Sequence, residues 1–230
     1  MRAALAKIFQ TSLLAFALAG AASDAQAGAT EDAVLAEVNF ARAHPQDYAR
    51  RLAGQPVTAW EHALAVGGAA LDPAAYAEAV DFLMRQAPLP PLRADDQLAA
   101  AALDHVAEQG PVGAVGHEGA GGEPFDARIR RHGAQAEILA ENIAYGPVDP
   151  ADVVRELIID NGVAGRGHRQ NIFNEGLDAA GVSCGVHRDY EAMCVMDFAG
   201  APLAAPGWRQ AELTLPAHGG GFLARLLHGR

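Results

Sequence analysis

Two alternating segments near the C-terminal side of the chain constrain the fold most. Ala180 to His187 and Tyr190 to Ala199 read as β-strands, with Arg188-Asp189 near the turn between them. A hairpin centred on that dipeptide sets Cys184 opposite Cys194. The same face then carries Val182 and Val186 from one strand and Met196 and Phe198 from the other, so one register pairs the cysteines and builds an apolar face. A disulfide across so short a loop stabilises by about 3 kcal/mol on a chain-entropy estimate.

A disulfide requires an oxidising compartment, and the N-terminus supplies the route to one. Arg2 and Lys7 form a charged start. A mostly apolar run from Ile8 to Ala22 follows, broken by Gln10, Thr11 and Ser12, and Ala25-Gln26-Ala27 offers a small-residue cleavage site. Residues 1–27 therefore read as a signal peptide cut between Ala27 and Gly28, with the product in the periplasm or outside the cell. The run is too short and too interrupted for the ~20 apolar residues of a membrane span. The formal net charge is -11, and there is no lysine after Lys7. That leaves no basic stripe for phosphate contacts and argues against nucleic acid as a partner.

Between these ends the chain reads as helices. Glu31 to Leu52 is helical, with Val34, Leu35, Val38 and Ala41 at helical spacing, and Pro45 starts a second helix with Tyr48 and Leu52 inward. Asp72-Pro73 and Asp149-Pro150 each pair an N-cap with a first-turn proline. The first opens a helix to about Gln86, with Tyr76, Val80, Leu83 and Met84 inward. The second opens one to about Asp160 carrying Val153, Val154, Leu157 and Ile158. Ala94 to Gln109 is helical, capped by Asp95 or Asp96, and Glu123 to Arg131 forms a short helix. Residues 54–90 form a helical insertion, and 201–230 a Pro- and Gly-rich tail.

The candidate chemistry lies where polar groups interrupt apolar context. Glu141 sits between Ala140 and Ile143 with Asn142, and Asp160 follows Ile158-Ile159. Buried carboxylates need partners. His117 and His168 both lie in glycine-flanked polar loops where the backbone can approach closely. Two imidazoles and two carboxylates suit zinc or another divalent cation, and equally suit a hydrogen-bonded pocket without metal. His117-Glu118 does not extend to H-E-x-x-H. Ser183, the one serine after residue 27, has no G-x-S-x-G around it, which argues against a serine hydrolase. His105 and Glu108, three apart on a helix, read as a solvated or core-edge face, and His62 and His218 as surface residues.

Together these residues resemble a known family. Asn39 and Arg42, Pro91-Leu92, Gly116-His117, Ala140-Glu141-Asn142-Ile143-Ala144-Tyr145-Gly146, Gly167-His168-Arg169-Gln170-Asn171-Ile172-Phe173 and Ala180-Gly181-Val182 occur in this order. The chain from about Glu31 to Gly200 resembles the CAP superfamily (cysteine-rich secretory, antigen 5 and pathogenesis-related 1 proteins), in its bacterial branch. The resemblance implies an α+β fold: an α-β-α sandwich with a small, mainly antiparallel sheet between helical layers, over residues 28–200. It also implies a cavity lined by His117, Glu141, Asp160 and His168. Leu157 stands where the family has a tryptophan, and Asp160 where it has a glutamate. Three functions follow as expectations. The first is an exported binding module for a small ligand, a lipid, a divalent metal or a cell-envelope partner. The second is a metal-assisted hydrolase or peptidase, with His117 and His168 holding the metal and Glu141 or Asp160 as base. The third is a non-catalytic extracellular structural domain.

Overall fold

A computed structural model describes residues 28–54, 72–146 and 149–201. The signal-peptide and tail expectations, the rest of the 54–90 insertion, His62 and His218 lie outside the described residues.

Residues 28–43 are helical (α1), followed by α2 (Pro45–Ala53) and α3 (Pro73–Arg85). Then come β1 (Arg93–Ala94), α4 (Asp96–Gln109), α5 (Phe125–Arg131) and β2 (Ile138–Tyr145). The described chain continues through α6 (Pro150–Ile159), α7 (Gly167–Ile172), β3 (Leu177–His187) and β4 (Glu191–Gly200). The caps are the aspartates expected from sequence. Asp72 accepts from the Ala74 N–H, and Asp149 from those of Ala151 and Asp152. Asp95, rather than Asp96, caps α4 through the N–H groups of Gln97 and Leu98.

The sheet order is β1-β3-β4-β2; β1 runs parallel to β3, and the other pairs are antiparallel. Cys184 pairs with Cys194 in the hairpin register and is bonded to it. Even-numbered sheet residues Ala140, Ala144, Ala180, Val182, Cys194, Met196 and Phe198 join the apolar faces of α1, α2, α3 and α6 in one cluster. Odd-numbered ones (Ala179, Ala199, Ile143, Met193, Val195) pack on Leu98, Ala101, Ala102 and Val106 of α4 and Ile129 of α5. The fold is thus α+β, with helices on both faces of a four-stranded mixed sheet, as the resemblance implies. Gly181 lets α4 lie against β3, since a Cβ there would fall 2.0 Å from the Ala99 nitrogen.

Three sequence expectations need correction. Met84 is half exposed, because the inward stripe of α3 is Ala75, Ala79 and Leu83, and Tyr76 and Val80 are only partly buried. Val186 is 80% exposed at the hairpin tip: alternation fixes a face, not how far the covering layer reaches. His168 stands in the first turn of α7 rather than in a loop.

Candidate functional site

The expected four residues form two pairs. His117 follows α4 on an irregular segment in which Gly116 takes φ +102°, a conformation glycine adopts without strain. Its Nδ1 lies 2.7 Å from Glu141 Oε1. Glu141 is on β2 with its side chain buried, and Nη2 of the fully buried Arg128 (α5) donates to its other oxygen. His168 Nδ1 lies 2.7 Å from Asp160 Oδ1. Asp160 ends α6 in the left-handed region (φ 57°). That turn aims its side chain at α7, where Oδ2 accepts from the backbone N–H groups of His168 (2.9 Å) and Arg169 (3.4 Å). Asp160 thus anchors one histidine and caps one helix.

β2 joins the pairs. It is an edge strand, and successive side chains point to opposite faces. Glu141 faces α5 and His117, while Asn142 donates to the His168 carbonyl at 3.0 Å. Asn171 of α7 donates to Asn142 Oδ1 (2.9 Å) and to the Glu141 carbonyl (3.3 Å), covering the strand's open edge. Arg169 is buried and donates to the carbonyls of Ile158 and Ile159, tying the end of α6 to α7, and pairs with Glu78 of α3.

Each histidine meets a carboxylate, which only accepts when ionised, so Nδ1 is the donor in each pair, and the neutral imidazole keeps its lone pair on Nε2. The His117 side chain is 51% exposed and that of His168 is 21% exposed, while both carboxylates are buried. Among the described residues, no group of three or more His, Cys, Asp or Glu side chains converges as a metal cage. A groove of about 650 Å³ lies elsewhere, at the sheet end formed by Asp178, Ala179 and Ala199 to Ala201, and none of the four residues lines it.

Sequence reasoning missed the support beneath Glu141. Asp197 of β4 is its direct ladder partner and is fully buried. Burial, together with the Glu141 charge, pushes its pKa up to about 9 against the opposing pull of Arg128. An acid inside the apolar run Met193–Phe198 was the available signal; nothing in the sequence marks Arg128. His105, expected on a solvated or core-edge face, is instead fully buried and meets the Gly116 carbonyl, and burial followed by the Arg128 charge lowers its pKa. Glu108 accepts from the Ala120 N–H.

The model of the cysteine-rich secretory protein family (CAP) matches residues 35–198. No curated protein matches the chain. Among solved structures, an extracellular protein containing a SCP domain from Bacillus anthracis is 23% identical, with a TM-score of 0.42 over 49% of this chain and 34% of that one. An outer surface protein from Borrelia burgdorferi is 21% identical, with a TM-score of 0.41 over 48% of this chain and 77% of that one. A cysteine-rich secretory protein from Staphylococcus aureus is 18% identical, with a TM-score of 0.36 over 48% of this chain and 32% of that one. The match thus spans about a third of the Bacillus and Staphylococcus chains. Among the described residues, no helix is long and apolar enough to cross a membrane.

Proposed function

The chain belongs to the cysteine-rich secretory protein (CAP) family, and from that premise we propose that it is an exported domain binding a divalent cation, zinc by its donor chemistry, at Nε2 of His117 and of His168. The observation that carries the reading is the pairing of both Nδ1 atoms with buried carboxylates at 2.7 Å. A carboxylate behind an imidazole orients the ring, fixes the tautomer and raises the basicity of the far nitrogen. Glu141 and Asp160 act behind the ligands in this reading. The charged start and cleavage pattern of residues 1–27, and the disulfide, support export.

A bound zinc would supply Lewis acidity and an acidified water. The hydrolase reading also needs a free base, and neither acid is free. Both Glu141 oxygens are engaged, by His117 and Arg128, and both Asp160 oxygens, by His168 and the backbone of α7. The same saturation favours a second reading, in which the pairs only fasten the His117 segment and α7 to β2.

Calorimetric titration of the chelator-treated, disulfide-intact protein with Zn²⁺ separates the two readings. One ion per chain, weakened by His117→Ala and by His168→Ala, is expected for a shared site. Absence of binding at millimolar zinc, or affinity untouched by either substitution, leaves only the fastening role.

A further inference from the structure

The segment that carries His117 has almost no apolar anchorage. Val112 and Val115 are each 57% exposed, and His117 and Glu118 are exposed as well. Side chains from three core elements hold its backbone instead. His187 of β3 donates from Nε2 to the Ala114 carbonyl at 2.9 Å; its Nδ1 accepts from the N–H groups of Asp189 and Tyr190, which fixes that tautomer. The Gly116 N–H donates to the Tyr145 hydroxyl at 2.9 Å. That hydroxyl donates to Gln109 Oε1 at 3.0 Å. Gln109 Nε2 returns to the Gly116 carbonyl at 2.8 Å and reaches the Glu118 carbonyl at 3.2 Å.

These bonds close a ring in which the Gly116 backbone (through its N–H and its carbonyl), the Tyr145 hydroxyl and the Gln109 amide each donate and accept in one consistent direction. A single amide thereby grips the carbonyls on either side of His117. Gln109 is 3% exposed, so water competes little for its amide. The Glu141 contact and the Phe125 ring (centroids 6.4 Å apart) hold the imidazole itself; the ring of hydrogen bonds fixes the Cα from which it hangs.

We propose that Gln109 and Tyr145 are positioning residues for His117, setting the direction in which its Nε2 is presented. The proposal rests on the reading of Nε2 as the working atom, and its test is arranged so that either can fail alone. Tyr145→Phe removes the hydroxyl but keeps the ring against His187 (5.3 Å) and Tyr190 (5.5 Å). Gln109→Met, similar in volume, is the second variant should the first fold poorly. Two quantities are read: Zn²⁺ affinity by calorimetry, and the imidazole Nδ1–H resonances of His117 and His168 by NMR.

The expected result is zinc affinity weakened by about 10-fold, the scale of orienting-shell losses. The His117 resonance should broaden or vanish while that of His168 stays in place. A structural role alone would disturb both resonances together, and that outcome overturns the proposal. So does a folded variant in which the His117 resonance is unchanged. If the parent protein binds no zinc yet its His117 resonance depends on Tyr145, the metal reading fails and the positioning role stands. If both proteins bind zinc equally, the positioning role fails and the metal reading stands.

Discussion

Asp197→Asn should change how stability depends on pH. Asp197 is fully buried opposite Glu141, and burial with the Glu141 charge raises its pKa to about 9. In the unfolded chain an aspartate titrates near ~3.9. Between these values the folded protein holds a proton that the unfolded chain has lost. The stability this contributes is full below the unfolded value and drains away as pH rises toward the folded one. The slope is about 1.4 kcal/mol per pH unit for one proton. Between the two values the wild type should therefore lose stability at up to that slope as pH rises, through the coupled Asp197–Glu141 pair. Asparagine has nearly the same shape and no proton to hold, so the variant escapes that loss. Urea unfolding of both proteins across this range gives the comparison, since every titrating group except the Asp197–Glu141 pair is common to both. Asp197→Asn should gain on the wild type steadily as pH rises, with the urea slope unchanged. Parallel stability profiles would refute the reasoning. They would mean that Asp197 is ionised in the folded protein and that Arg128 neutralises both carboxylates.

Replacing Cys184 and Cys194 together by alanine should cost about 3 kcal/mol in urea unfolding, the loop-closure value for a bridge spanning 10 residues; a loss near zero would mean that the hairpin register constrains the unfolded chain without it. Arg42 is 1% exposed and donates to the carbonyls of Pro90, Ile172, Asn174 and Leu177. Arg42→Met leaves these acceptors unpaired and should cost about 3 kcal/mol or more, measured by the same assay; a loss under about 1 kcal/mol would show that water replaces the guanidinium. Gly181→Ala should abolish soluble expression or lower the thermal midpoint steeply, because its Cβ would fall 2.0 Å from the backbone of α4; a folded variant of native stability would show that α4 can move away.

Much of the fold was legible because local physics fixes it. The hairpin register followed from alternation and one possible turn, and the caps from aspartate before proline or before a helical run. The exposed Met84 and Val186 mark the limit of such patterns: they fix which face a residue occupies, while its burial depends on what lies above it. The short α7 was hidden for another reason. Six residues led by glycine show no helical periodicity, and its N–H groups are satisfied by Asp160, a residue outside the helix. The partners Arg128 and Asp197 lie 13 residues before Glu141 and across the ladder from it, distances over which no sequence period reaches.

The two histidine pairs share one strand because of its alternation, and that explains why an acid and an amide stand side by side there. Glu141 and Asn142 point to opposite faces of β2, so one strand reaches the His117 segment on the α4 and α5 side and α7 on the other. An interior strand would have neighbours on both edges and no room for α7. As an edge strand, β2 lends its Glu141 carbonyl to Asn171, so the helix that brings His168 also closes the edge. Two requirements, protecting an open strand and fastening the segment that carries His168, are therefore met by the same short helix. Asn171→Leu should loosen both at once. Zinc affinity and amide-exchange protection of β2 would fall together, whereas loss of one alone would show that the edge and the histidine are held independently.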